Sequence, residues 1–516
     1  MSEDVHANCR RLLARQAEQI SVLQAENAAL RAENATLKKL VKELQRRVEE
    51  LERRLSQNSS NSSRPPSSDP PSAPPRGGKQ PTGRSPGGQP GHPGHGRDLV
   101  PPEKVNQIVV VKPKSCRKCG RSLHGEDPQP LRHQVSEIPP FAIQTTEYQR
   151  HRLKCPCCGE STLANLPEGV SDGAFGPRLH AVVAYLSAQG HLSKRQIEEM
   201  LKDIFGLLIA LGSVVKVQQE VSQAVAPAVE EAKTFARKEP IKHADETGWK
   251  EGPKGDGQKG RKKAWVWVNV TRWVTVFLIH PSRGAQAARA LLGDFCGYLT
   301  SDRWKVYSRW FLFKWQICWA HLIRDFTGMS ELGGKAGAIG ANLLKESKDL
   351  FALWHRTRDG PPDRTTSVAR LTAVGQVRAG TLSRSTFRGY VGPIRRRVHQ
   401  LLSEGRHCGT PAMEGKCREM LKVFPAFWTF VRVEGVEPTN NAAERALRPV
   451  VLYRKGCFGT HSEEGSRFVE RMFTVVTTLR QQKRNVLAYL TQSCERAMKG
   501  LKPMSLLPGN AHKVAA

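Results

Sequence analysis

The chain has 516 residues, too many for one ordinary core, so several units of the usual size are expected. Its formal charge of +32 comes from basic residues spread along almost the whole length, an excess that points to a polyanionic partner. No stretch reaches the roughly 18 apolar residues of a membrane span, and the opening MSEDVHANCRRLL has acidic residues where a secretion signal has an apolar core; a cytoplasmic protein with no membrane partner is expected.

From Ile20 to Leu55 the residues follow an unbroken heptad, with Leu23, Leu30, Leu37, Leu44 and Leu51 at d and Ile20, Asn27, Asn34, Val41, Val48 and Leu55 at a. A strict 3.5-residue period predicts supercoiling, and asparagines at a suit a two-stranded parallel seam. Glu26 with Arg31, Glu33 with Lys38 and Arg47 with Glu52 supply attractive pairs across it, so the expectation is a homodimer through this coiled coil. From Ser56 to about Val105 the chain turns to Ser, Asn, Pro and Gly (SQNSSNSSRPPSSDPP, then GGQPGHPGHGR), a composition that cannot bury a core and predicts a disordered basic linker. The Gly and Pro around His92 and His95 give these histidines no fixed ligand geometry.

Strand-like pieces QIVVVKP and YQRHRLKC bracket CRKCG and CPCCG. Cys116, Cys119, Cys155 and Cys158 fit two Cys-x-x-Cys knuckles, the donor set of a structural Zn2+ in a zinc-ribbon-like module. The interval between the knuckles is longer than usual, and Cys157 is an alternative ligand to Cys155 or Cys158.

Beyond Gly176 the period becomes helical. Ser193 with Gln196 has the capping-box pattern, Gly206 marks a turn, and Ser213 is a candidate cap for a further helix. A helix-turn-helix built this way offers Lys216, Gln218 and Gln219 to DNA from its second helix, although an ordinary three-helix packing module has the same pattern.

After Pro240 the pattern switches to strands, IKHADETGW, AWVWVNVT and WVTVFLIH, followed by a helical ARALLGD, a short strand YLTSD and then KWQIC. Three antiparallel strands, a helix and further strands are the order of a ribonuclease H-like α/β fold, in which the first and fourth strands are neighbours. Asp245 and Asp302 fall on those two strands. A third carboxylate is expected from a helix across the sheet, and TNNAAERALRPV fits: Thr439 or Asn440 caps, the alanines favour helix, Glu444 is carried in its first turn and Pro449 ends it. Arg445, Arg448, Arg454 and Lys455 are candidate phosphate clamps from the same segment. Glu246, one residue on from Asp245, is expected on the opposite strand face in a structural role. Cys318 and His321, spaced Cys-x-x-His, read as packing residues before metal ligands.

HADET around Asp245, SRGAQAARALLGDFCGYLTSDRWKVY around Asp302, CWAHLIRDF, and TNNAAERALRPVVLYRKGCFGTHSEEG resemble the successive catalytic blocks of the insertion sequence family 66 transposases. The coiled coil, the NSSRPPSSDPP and GGQPGHPGH linker, the paired cysteines, the helix-turn-helix and a C-terminal helix near 487–498 stand in that family's order, so the resemblance covers nearly the whole chain. It implies a DDE transposase with Asp245, Asp302 and Glu444 as triad, acting with Mg2+ or Mn2+ on double-stranded DNA to cleave element ends and join them to a target, with small accessory proteins as further partners.

The expected organisation is a coiled coil over 1–56, a linker over 57–107, a zinc-binding module over 108–172 and a helix-turn-helix over 173–239. A ribonuclease H-like catalytic domain over 240–478 follows, with a mainly helical insertion at about 325–430, then a C-terminal helix and tail over 479–516. The alternative is a catalytically inactive DNA-binding regulator or element remnant, against which the intact Asp245, Asp302, Glu444 set speaks.

Overall fold

The computed structural model describes residues 2–55, 57–59, 61, 98–170, 173–253, 261–294, 297–309, 312–359 and 384–509. Most of the expected linker, with His92 and His95, and residues 360–383 of the expected insertion lie outside these. The chain divides into two units, Met1–Pro74 with Tyr298–Asn440, and Pro75–Gly297 with Asn441–Ala516. Among the described residues no helix is long and apolar enough to cross a membrane.

In chain order, the heptad region is one uninterrupted helix, α1 (Ser2–Leu55). Residues 98–170 are largely exposed and include a short antiparallel hairpin of β1 (Arg152–Lys154) and β2 (Ser161–Leu163). Helix α2 (Pro177–Ala188) opens with proline in its first turn, where the missing N–H has no intrahelical partner to lose. Helix α3 (Lys194–Phe205) has both halves of the expected capping box: Gln196 N donates to Ser193 Oγ at 3.3 Å, and Ser193 N donates to Gln196 Oε1 at 2.9 Å. Its C-cap is Gly206 at φ 67°, a left-handed position that suits glycine.

Helix α4 (Leu211–Lys238) starts ahead of the expected Ser213 cap, with extended Ala210 as its N-cap. Val214, Val217, Val221, Val225, Ala228 and Ala232 recur at helical spacing and are all buried. Three antiparallel strands follow, β3 (Ile241–Pro253), β4 (Arg261–Val270) and β5 (Thr275–His280), paired in sequence order with Asp245 opposite Val268 and Glu246 opposite Trp267.

After α5 (Ala285–Leu292) come β6 (Tyr298–Ser301) and β7 (Trp315–Ile317), a parallel pair with Leu299 opposite Trp315. The expected insertion is helical where described, with α6 (Trp319–Ser330), α7 (Gly334–Asp359), α8 (Arg384–Gly405), α9 (Pro411–Lys422) and α10 (Thr429–Arg432). The chain then enters α11 (Asn441–Cys457), α12 (Glu463–Gln481) and α13 (Val486–Met498). Contrary to expectation, α11 runs through Pro449. The proline withholds one hydrogen bond, from the carbonyl of the exposed Arg445, while buried Ala446, Leu447 and Val450 hold the helix on the sheet.

In the unit formed by Pro75–Gly297 and Asn441–Ala516, α2 and α4 pack with α12 and α13, α12 and α4 lie against β5, and α11 crosses β3 and β4. The segment expected to be a separate helix-turn-helix therefore shares its core with the C-terminal helices. Buried polar groups register this packing: His180 Nε2 lies 2.7 Å from Glu220 Oε2, and Arg471 Nη1 donates to Ser222 Oγ at 3.0 Å. Beyond α11, Thr460 bonds β3 through Lys250 O and Gly252 N, both at 2.9 Å, and its hydroxyl accepts from Trp249 Nε1 at 3.1 Å.

The core of the unit formed by Met1–Pro74 and Tyr298–Asn440 is aromatic, with Trp319 against Phe427 and Trp428, and Trp354 against Phe387 and Phe430. Gln316, fully buried on β7, is satisfied by accepting from Phe430 N at 2.8 Å and donating to Ile317 O at 2.7 Å. Helices α6 and α7 approach closely at Gly340, where a Cβ would stand 2.8 Å from Ser330 Cα.

Candidate catalytic carboxylates and DNA-facing residues

Asp245 sits in the middle of β3, half-buried, with Oδ1 accepting from Glu246 N at 2.9 Å. The strand alternation sends Glu246 to the other face, where its side chain is buried and paired with Arg283 at 2.9 Å; Arg283 also lies 4.7 Å from the Trp265 ring centroid. Thr247 shares the Asp245 face, and Arg454 of α11 donates to Thr247 Oγ1 at 3.2 Å and to Gly248 O. Helix α11 consequently lies on the Asp245 side of β3 and carries half-buried Glu444 in its first turn.

Asp302 belongs to the other unit and directly follows β6. It is half-buried, and its Oδ1 accepts from Trp304 N at 2.9 Å, a local turn that orients the carboxylate. The neighbouring Arg303 is drawn to Asp325 of α6, whose buried carboxylate is also held by Lys416 at 3.1 Å. Sequence reading missed this clamp; its signal was an aspartate among the apolar positions of α6, flanked by Leu322, Phe326 and Met329. Cys318, at the N-cap of α6, accepts from Asn440 N at 3.1 Å through its buried Sγ.

The two Cys-x-x-Cys turns have the same backbone. Gly120 N donates to Cys116 O at 2.9 Å and Gly159 N to Cys155 O at 3.0 Å, and both glycines have φ 72°. The Cys116 thiol is held below its usual range by the backbone N–H of Cys119 and then of Lys118, and the Cys155 thiol by that of Cys158 and then of Cys157. Each turn thus favours the thiolate, the form that ligates a soft metal. Among the described residues, no three of these sulfurs lie within 4.8 Å of one another.

Of the expected DNA contacts, Lys216, Gln219, Arg445, Arg448 and Lys455 are exposed. Two differ from expectation. Gln218 is only 7% exposed because it falls on the packed face of α4, and Arg454 is half-buried and committed to β3, its guanidinium pKa lowered by burial. An exposed group that sequence reading did not single out, Arg395, Arg396 and Arg397 on α8, adds to the basic surface of the helical segment; the RRR run was its signal.

The family model described as Transposase IS66 family matches residues 172–468, an interval that contains β3, β6 and α11. A second model, a family of unknown function (DUF6444), matches residues 13–98, which hold the heptads and the Pro/Gly/Ser-rich segment. The chain is also 22% identical, over 424 residues, to the uncharacterized protein y4hP of Sinorhizobium fredii (strain NBRC 101917 / NGR234), which spans 76% of this chain and 72% of that one.

Proposed function

This chain belongs to the IS66 transposase family, and from that premise we propose that it cleaves the ends of a bacterial insertion sequence and joins them to target DNA, with Asp245, Asp302 and Glu444 as its catalytic carboxylates. The observation that carries the reading is the position of α11 on the Asp245 side of β3, reached through Arg454 and Thr247, with Glu444 in its first turn. On this reading the fold is ribonuclease H-like, its strands following in chain order from the meander β3 to β5 on to β6 and β7.

The donors are hard carboxylate oxygens, the chemistry that suits Mg2+ or Mn2+ over soft metals. When bound, such ions neutralise charge developing on the reacting phosphate and align the entering and leaving oxygens. The protein's own part is orientation: the backbone N–H groups of Glu246 and Trp304 fix the carboxylates of Asp245 and Asp302. Joining is a transesterification in which the element's 3′ hydroxyl gives up its proton and bonds through oxygen to a target phosphorus, while the target strand's own 3′ oxygen leaves and takes up a proton, so one phosphodiester replaces another.

Exposed Arg445, Arg448 and Lys455 are suited to phosphate contacts beside Glu444, and Lys216 and Gln219 at the start of α4 to contacts with element ends. The seam of α1 pairs two copies in a parallel coiled coil, since its d-position leucines are 51–61% exposed in the single chain. Cys116, Cys119, Cys155 and Cys158 are the proposed ligands of a structural Zn2+, with Cys157 as the alternative donor. Cytoplasmic action and the help of small accessory proteins complete the reading.

The test is incubation of the full-length protein with labelled element ends and a target plasmid, with Mg2+ or EDTA, comparing wild type with Glu444→Gln. Joined products that need the metal and vanish in the variant are expected. Joining that survives Glu444→Gln would reject Glu444 as a catalytic carboxylate, and end binding with no cleavage in wild type, with accessory proteins supplied, would favour the inactive DNA-binding regulator.

A further inference from the structure

Shortly after α1, two residues of the Ser/Asn-rich run, Ser59 and Asn61, are not placed as in a solvated linker. Ser59 is 5% and Asn61 7% exposed, although both side chains are polar and their neighbours in sequence are Ser, Asn, Pro and Arg. Such residues become buried only where something receives their polar groups. Asn58 N donates to Asn61 Oδ1 at 2.8 Å, which folds the run into a turn, and Asn61 Nδ2 donates to Glu331 Oε2 at 2.7 Å, just beyond the end of α6. The receiving helix is cut to fit: at Gly328 of α6, a Cβ would fall inside contact distance of the Asn61 carbonyl oxygen and 3.8 Å from Asn61 Cβ. Beside this contact lies a cavity of about 480 Å³, lined by Glu52 of α1 and by Gln57, Asn61, Met329, Met413 and Lys416.

We propose that residues 57–59 and Asn61 form a latch that anchors the C-terminal end of the coiled-coil helix on the α6 surface around Gly328 and Glu331. The occupant of this surface is therefore a segment of the chain itself, selected by an amide that both closes the turn and reaches a carboxylate. Its consequence is mechanical. The segment that bears Asp302 follows the dimerising helix directly instead of trailing on a free tether, so pairing of two α1 helices restricts where two such segments stand. The latch contact does not depend on the catalytic assignment, and its test reads no catalysis.

Hydrogen exchange on the full-length protein reads the latch directly. In the wild type, the amides of Asn58, Ser59 and Asn61 should exchange far more slowly than at free-coil rates. Gly328→Ala is the decisive variant, because alanine is the better helix former and should leave α6 at least as protected, yet its methyl expels Asn61. Asn61→Asp sets a second negative charge against Glu331, and Glu331→Gln added to it removes the repulsion. Both single variants are expected to speed exchange of the segment by roughly tenfold or more, the effect of losing a hydrogen bond to a charged group, with α6 unchanged and the double variant slowed again. A segment that exchanges at free-coil rates in the wild type, keeps its protection in Gly328→Ala, or is not slowed by Glu331→Gln in the Asn61→Asp background would overturn the latch.

Discussion

The carboxylate of Glu470 on α12 accepts a hydrogen bond from the backbone N–H of Ile279 on β5. One helical repeat further, Thr474 Oγ1 accepts from Phe277 N at 3.1 Å, and one more brings Thr478 Oγ1 to Thr275 N at the same distance. Four helical residues advance about 6 Å and two strand residues about 6.7 Å, so the two ladders keep step over three contacts. The N–H groups of Thr275, Phe277 and Ile279 on the edge strand β5 are thereby satisfied by side chains, which blocks pairing with another strand there.

Burial pushes the Glu470 carboxyl up to about 7, against the opposing pull of Arg467 at 2.8 Å and of the Ile279 N–H. A raised acid pKa means that the folded state holds its proton more tightly than the unfolded chain, whose carboxyl titrates near 4.5. Stability from this group is thus present below the unfolded value and is lost as pH rises from about 4.5 to about 7. Glu470→Gln keeps an acceptor for Ile279 and removes the titration, so the fall in thermal midpoint between pH 5 and pH 8 should be smaller than in wild type. An equal fall in both proteins would show that this carboxyl ionises freely in the fold.

Asp325→Ala should lower the stability of the unit holding Asp302 by about 2 kcal/mol, less than the loss of a fully buried pair because Arg303 and Lys416 are partly exposed. It should also slow DNA cleavage without weakening end binding, since Arg303 adjoins Asp302. Asp325→Asn, which keeps the shape and one acceptor, should recover part of both. Denaturant titration and single-turnover cleavage separate the two effects; unaltered cleavage in the alanine variant would remove Asp325 as a positioning residue.

Leu37→Lys places a charge in the middle of the α1 seam, where leucine is now more than half exposed in the single chain. Sedimentation should show a dimer for wild type at micromolar concentration and a monomer for the variant, with α1 helicity reduced because an isolated amphipathic helix loses its partner's packing. A dimer that persists undiminished would assign self-association to another surface.

Cys116→Ser removes the sulfur that two backbone N–H groups favour as thiolate, so zinc per chain should fall and the 108–172 segment should become more protease-sensitive. Elemental analysis checks the first outcome and limited proteolysis the second. Zinc content equal to that of wild type would exclude Cys116 as a ligand.

What lay open in the sequence was whatever depends on near neighbours. The heptad of leucines specified α1, Ser193 with Gln196 and Gly206 specified both ends of α3, and strand alternation put Glu246 on the face opposite Asp245. Each rests on a local period or a cap that a few residues decide.

Tertiary contacts decided the rest. Pro449 reads as a helix end but lies within α11, because Leu447 and Val450 are packed on the sheet. Gln218 and Arg454 read as DNA contacts until the packed face of α4 and the carbonyl of Gly248 claim them. Asn61 reads as part of a solvated linker until Gly328 and Glu331, far along the chain, receive it. Composition and period report what a segment prefers alone, whereas burial depends on which distant surface removes the water, and that partner is known only once the chain has folded.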